Sequence, residues 1–119
     1  MTINLSTPSN WPIYFSKPLI IAGPCSAESE EQMLATANAL KSHQNILFRA
    51  GVWKPRTRPN NFEGIGRIGL TWLKIVKEET GLATTTEVAN AFHVEEALKK
   101  DVDVLWIGAR TTVNPFAVQ

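Results

Sequence analysis

The side chains best suited to chemistry are five arginines, one cysteine and one lysine that stands apart from the other six. Arg49, Arg56, Arg58, Arg67 and Arg110 all lie in or beside segments that follow short apolar runs, and Lys54 is the only lysine to do so. A guanidinium offers a planar fork of donors that grips phosphate or carboxylate oxygens in pairs, so this clustering points to a small, highly anionic substrate. Arg58 and Arg67 could equally face water, whereas Arg49 and Arg110 are the stronger ligand candidates. Cys25 follows a Gly-Pro turn at the end of an apolar run; inert packing, metal ligation and reactivity are all open to it, and for a lone cysteine inert packing is the ordinary case. Glu87, after another run, reads as a charge partner for Lys54 or an arginine, with a purely structural polar plug as the alternative. Trp53, Trp72 and Trp106 read as packing residues. His43 and His93 read as ordinary surface residues, since neither belongs to a metal-ligand spacing. Gly64-Ile65-Gly66 allows close approach to a ligand, but so short a glycine pattern is a weak phosphate signal.

The elements that must position these residues alternate regularly. Leu19 to Ala22 is an apolar run broken by Gly23-Pro24, as expected of a strand covered on both faces. Ser29 and Gln32 form a capping box ahead of a helix carrying Leu34, Ala37 and Leu40, with Lys41 at the end that favours a cation. Ile46 to Phe48 is a second strand; Trp72, Leu73 and Val76 mark a second helix closed by Gly81. Leu82 to Thr86 is a third strand, Asn90 caps a third helix with Val94, Ala97, Leu98, Lys99 and Lys100, and Val102 to Ile107 is a fourth strand. Asn114-Pro115 predicts the start of a fourth helix. The first residues, rich in Ser, Thr, Asn and Pro, read as an arm, with Ile13 to Phe15 a possible extra strand. Strict βα alternation implies an α/β fold with a parallel sheet and right-handed crossovers, either doubly wound or a barrel. In both, the strand C-termini carry the ligand site, and each unusual cluster falls there.

Composition limits the partners. The chain has 119 residues, 44% hydrophobic, enough for one domain with a core. A net charge of +1, from 12 basic and 11 acidic residues, provides no general field for nucleic acid or an anionic membrane, so anion binding must be local. One cysteine excludes an intrachain disulfide and suits a reducing, cytoplasmic setting. Met1 to Asn10 lack the pattern of a signal peptide, and no apolar run approaches the roughly 20 residues of a membrane span.

Four motifs in order, Ile21-Ala22-Gly23-Pro24-Cys25-Ser26-Ala27-Glu28-Ser29, then Arg49-Ala50-Gly51-Val52-Trp53-Lys54-Pro55-Arg56-Thr57-Arg58-Pro59, then Thr86-Glu87-Val88, then Ile107-Gly108-Ala109-Arg110, resemble the type I 3-deoxy-7-phosphoheptulonate (DAHP) synthases. The likeness is greatest to the short branch of that family, which is sometimes fused to a chorismate mutase domain. It implies an N-terminal arm over residues 1–16 and, over 17–119, the N-terminal half of a (β/α)8 TIM barrel, about four βα units. A whole barrel takes about 250 residues. The implied activity is the condensation of phosphoenolpyruvate with erythrose 4-phosphate, the first step of the shikimate pathway to the aromatic amino acids. The resemblance makes Cys25 one of four ligands of a divalent metal ion, with Mn, Fe, Co or Zn all suitable. It gives Arg49, Lys54 and Arg110 the phosphate and carboxylate of phosphoenolpyruvate, and Arg56 and Thr57 the erythrose 4-phosphate. Arg49 and Lys54 thereby become the candidate catalytic pair.

The resemblance also sets limits. The family's histidine, glutamate and aspartate metal ligands, and a further lysine and arginine, come from later strands, and Arg58 stands where many relatives have a small residue. Arg58, Arg67 and Glu87 therefore have no implied role. One thiolate does not make a metal site, which takes at least three protein ligands. The expectation is a homo-oligomeric parent enzyme in the cytoplasm, with the isolated 119-residue chain inactive and marginally stable. The alternatives are a non-catalytic βα module that binds phosphorylated ligands, an inactive gene fragment, and the related 3-deoxy-octulosonate 8-phosphate synthase. The last usually carries Lys-Ala-Asn-Arg where this chain has Lys54-Pro55-Arg56-Thr57.

Overall fold

Helix and strand boundaries follow local chemistry closely in a computed structural model that describes residues 5–13, 18–54, 60, 62–116 and 118. The apolar runs become β1 (Ile20–Ala22), β2 (Ile46–Arg49), β3 (Ala83–Val88) and β4 (Val104–Ile107). Between them lie α1 (Glu30–Leu40), α2 (Arg67–Thr80) and α3 (Ala91–Lys99), and a single turn of helix, α4 (Ala109–Thr112), follows β4.

The caps explain where the helices start and stop. Ser29 Oγ accepts from the Gln32 backbone N–H at 3.1 Å, which satisfies one of the donors that α1 leaves unpaired, and Gln32 Oε1 accepts from the Glu28 N–H, just before the cap, at 2.8 Å. Glu30 and Glu31 add negative charge to the first turn. Gly81 ends α2 with φ +74°, a left-handed conformation that costs glycine little. Asn90 Oδ1 caps α3 by accepting from the His93 N–H at 2.9 Å.

All four strands pair in parallel in the order β1-β2-β3-β4. Sequential order separates the two architectures that alternation left open. A doubly wound sheet reverses direction at a switch point, whereas right-handed crossovers between successive neighbours keep every helix on one face, as a barrel requires. α1 packs on α2 and α2 on α3 accordingly. The core lies between these helices and the sheet: Met33 and Ala37 from α1, Phe48 from β2, Leu70, Leu73 and Val76 from α2 and Ala97 from α3 are buried together. Each large side chain of this group contributes about 1.5–3 kcal/mol, against about 1 kcal/mol for a typical cap. On the opposite face Ile21, Leu47, Arg49, Thr85 and Trp106 line an open cavity of about 530 Å³.

The base of the sheet is pinned by Asp103. Its Oδ2 accepts from the Thr84 N–H at 2.9 Å and its Oδ1 from Lys77 Nζ at 2.8 Å, while Lys77 also donates to the Asp101 carbonyl at 2.8 Å. This lysine is structural, in keeping with its place away from the strand C-termini.

Several details differ from the sequence reading. Met33 is fully buried although Leu34 looked like the core residue of that turn, and Leu98 of α3 is 58% exposed. β3 runs on to Val88, and Leu82 and Val102 sit buried just ahead of their strands. The fourth helix begins at Ala109 rather than at Asn114, since Gly108 caps it directly after β4. Asn114 Oδ1 accepts from the Phe116 N–H at 3.0 Å with Pro115 between them, an Asx turn, and no helix starts there among the described residues. The arm contains a 3-10 turn at Pro8–Asn10, and the extra strand expected at Ile13 to Phe15 falls partly outside the described residues. No described helix is long and apolar enough to cross a membrane.

Candidate functional site at the strand C-termini

The strand C-termini draw Cys25, Arg49 and Lys54 into one cluster. Past β1 and β2 the backbones stay in register through a bridge between Ser26 and Gly51. The Ala27 N–H donates to the Gly51 carbonyl at 2.9 Å, and the Gly51 N–H to the Cys25 carbonyl at 3.2 Å. Two glycines make this approach possible. A Cβ at Gly23, whose φ is +149°, would lie 2.0 Å from the Arg49 carbonyl oxygen, and one at Gly51 would lie 2.5 Å from both the Cys25 carbonyl oxygen and Lys54 Nζ. Hydrogen at position 51 is therefore what leaves space for the lysine.

Lys54 is 8% exposed, and its ammonium donates to the Cys25 carbonyl and, at 3.3 Å, to Cys25 Sγ. Arg49 Nη2 donates to the same carbonyl at 3.3 Å, and its guanidinium lies over the Trp106 ring, 5.6 Å from the centroid. Arg49 Nε is buried without a partner, as are Ser26 Oγ and Thr85 Oγ1. Neither cation meets a carboxylate among the described residues. The Cys25 thiol is held below its ordinary pKa, first by the Lys54 hydrogen bond and the Lys54 charge, against a small opposing effect of burial, with Arg49 contributing less. The thiol is exposed, so the cluster combines an accessible thiol of lowered pKa with two fixed positive charges.

The other expected residues divide. Arg110 lies at the same edge on α4 but is exposed and forms no ion pair among the described residues. Arg56, Thr57 and Arg58 lie outside the described residues. Arg67 makes a surface ion pair with Glu96, at 3.2 Å, that ties α2 to α3. Glu87 is not the counter-ion of Lys54. It is buried, its Oε1 packed so closely on Gly108 that a Cβ there would lie 2.0 Å away, and it forms no ion pair among the described residues. The lysine is instead turned toward the Cys25 carbonyl and sulfur.

His93 is the residue that the sequence reading missed. Its ring stacks on Trp53, centroids 3.9 Å apart and planes 10° from parallel, and Nδ1 accepts from the Ala89 N–H at 3.0 Å. Burial lowers its pKa. A signal existed: His93 is the third residue after the cap Asn90, the place Gln32 takes after Ser29, and both side chains reach back to the N–H preceding the cap.

A metal ion is the group the resemblance implies, and the donor set can be tested against it. Cys25 offers a sulfur whose pKa is lowered, a suitable ligand once deprotonated. Among the described residues no group of three or more His, Cys, Asp or Glu side chains converges, so these residues supply one donor and do not form the whole site.

Sequential parallel strands backed by helices, with cationic side chains gathered at the strand C-termini, define this chain as part of a (β/α)8 barrel. The chain belongs to the DAHP synthetase I family, whose profile matches residues 16–118. It is 36% identical over 95 residues to a phospho-2-dehydro-3-deoxyheptonate aldolase of Thermotoga maritima, a match covering 80% of this chain and 28% of that protein. A 2-dehydro-3-deoxyphosphooctonate aldolase of Caulobacter vibrioides is 34% identical over 117 residues, covering 90% of this chain and 40% of the relative. The crystal structure of the phospho-2-dehydro-3-deoxyheptonate aldolase (DAHP synthase) from Thermotoga maritima superposes with a TM-score of 0.71 at 35% identity, over 81% of this chain and 28% of that one. The chain thus spans 28% to 40% of the length of these relatives.

Proposed function

We propose that the chain forms part of a 3-deoxy-7-phosphoheptulonate synthase, which condenses phosphoenolpyruvate with erythrose 4-phosphate and releases inorganic phosphate at the entry to the shikimate pathway. The observation that carries this reading is the uncompensated pair of cations: Arg49 and Lys54, held at the strand ends, meet no carboxylate among the described residues. Charges so placed favour a ligand that brings its own negative charge, and phosphoenolpyruvate brings a phosphate and a carboxylate.

In this reading Arg49 and Lys54 bind phosphoenolpyruvate, and Arg110 joins them from α4. Fixed cations orient the enol so that C3 faces the incoming aldehyde, and they stabilise charge as the carbon–carbon bond forms. Arg56 and Thr57 bind the erythrose 4-phosphate. Cys25 contributes one ligand to a divalent metal ion completed by residues beyond those described here, and such an ion supplies Lewis acidity toward a carbonyl oxygen. The protein acts in the cytoplasm as a homo-oligomer.

The test is phosphate release from phosphoenolpyruvate by the longest in-frame protein that carries this chain, offered erythrose 4-phosphate or arabinose 5-phosphate, with and without EDTA. Chelator-sensitive release with the four-carbon sugar is expected. Release with arabinose 5-phosphate alone would transfer the chain to the octulosonate branch, and no release with either would leave a non-catalytic binding module.

A further inference from the structure

Trp53, the residue immediately before Lys54, is the only described contact of the loop after β2 with an aromatic ring on α3, that of His93. The imidazole is itself fixed. Nδ1 accepts from the Ala89 N–H at 3.0 Å, and the His93 backbone N–H donates to Asn90 Oδ1 at 2.9 Å. A ring that accepts through Nδ1 is neutral and carries its proton on Nε2, so it cannot turn without losing that bond. On the other side of the loop, the Lys54 N–H donates to the Glu63 carbonyl at 2.7 Å and the Gly66 N–H to the Val52 carbonyl at 2.8 Å. Gly64 passes so close that a Cβ would stand 2.3 Å from the Val52 carbonyl oxygen. Residues 52–54 are therefore clamped between the 63–66 segment and the His93 ring. A flexible four-carbon stem can deliver an ammonium to one place only if its base is fixed.

We propose that His93 is a positioning residue for Lys54: through the Trp53 ring it fixes the backbone from which the ammonium reaches Cys25. The inference rests on the reading of Lys54 and Cys25 as parts of the phosphoenolpyruvate site. Its test needs no substrate, so failure of the synthase reading and failure of this one show separately.

Cys25 is the only cysteine in the chain. Its rate of alkylation by iodoacetamide at pH 7 in EDTA, followed on the Cys25 peptide by mass spectrometry in the longest in-frame protein that carries this chain, reports the Lys54–Cys25 contact. Lys54→Met sets the reference: it raises the thiol pKa, and each unit is about tenfold in thiolate population. His93→Asn keeps an oxygen for the Ala89 N–H and removes the ring, while His93→Phe keeps a ring and removes the acceptor. His93→Asn is expected to slow alkylation in the same direction as Lys54→Met, and His93→Phe to slow it less, since it keeps the stacking ring and loses only the bond that fixes it. Trp53→Leu against Trp53→Phe repeats the comparison from the other ring, and circular dichroism identifies any variant that fails to fold. Wild-type reactivity in both His93→Asn and Trp53→Leu would overturn the proposal. So would equal slowing by His93→Asn and His93→Phe, or an unchanged rate in Lys54→Met.

Discussion

The Lys54 ammonium and the Cys25 sulfur, 3.3 Å apart, are the pair on which the chemistry depends, and the hydrogen atom of Gly51 makes room for them. Gly51→Ala would place a methyl carbon 2.5 Å from both Lys54 Nζ and the Cys25 carbonyl oxygen. The lysine tip can move aside, but the carbonyl is held by the β2-side ladder. The substitution is expected to cost about 1–3 kcal/mol in urea unfolding and to raise the Cys25 pKa by displacing the ammonium. His93 gives a second prediction, this time in pH. Its folded pKa lies below the ordinary value because burial disfavours the charged ring. Between the folded and unfolded values the unfolded chain binds more protons, so stability rises with pH across that window and is lost as pH falls toward the folded pKa. Urea midpoints measured on both sides of the ordinary histidine pKa should show this rise, and His93→Asn should flatten it. Arg49 and Lys54 were legible from residue type and placement at a strand end, whereas Cys25 stood out only through the family resemblance, since residue type and placement alone favour inert packing. The Trp53–His93 stack was not legible, since residues 40 positions apart meet only once β2 and β3 pair. The Glu87–Lys54 pairing does not form because Glu87 packs against Gly108 on the β4 side while Lys54 reaches the other way, to the Cys25 carbonyl past β1.

α3 connects local stability to the site, because its cap residue and its first-turn histidine both serve the loop that holds Lys54. Asn90→Ala removes the acceptor for the His93 N–H and is expected to lower stability by about 1 kcal/mol, with a typical range of about 0.5–2. If the helix start fixes the ring, the same variant should also slow Cys25 alkylation, whereas loss of Arg67 from its exposed pair with Glu96 should leave that rate unchanged. Helices α1, α2 and α3 were legible because each carries its signal within a few residues: Ser29 with Gln32, Gly81 at φ +74°, and Asn90. α4 was displaced because Gly108 starts a helix with no side-chain cap, leaving no residue type to announce it. At Asn114 the side chain closes an Asx turn instead of opening a helix.

The whole sheet shows a face the helices do not cover. Ile20 and Ile21 on β1 and Ile107 on β4 are 45%, 57% and 56% exposed, and these two strands are the edges of the described sheet. Unpaired parallel edges and exposed aliphatic side chains favour association and loose unfolding. The 119-residue chain is therefore expected to bind a hydrophobic dye and to unfold over a broad range of urea. A sharp transition in a monomer that binds no dye would contradict this. The barrel itself became legible only through strand order, because alternation alone serves an open sheet as well. The central claim is that Arg49 and Lys54, the cations at the strand C-termini that meet no carboxylate among the described residues, bind phosphoenolpyruvate. It is tested most directly by calorimetric titration of phosphoenolpyruvate into the longest in-frame protein carrying this chain, alongside its Lys54→Met and Arg67→Met variants. Binding by the parent and by Arg67→Met, with a loss of about tenfold or more in Lys54→Met, is the predicted result. Equal affinity in Lys54→Met and the parent would contradict it.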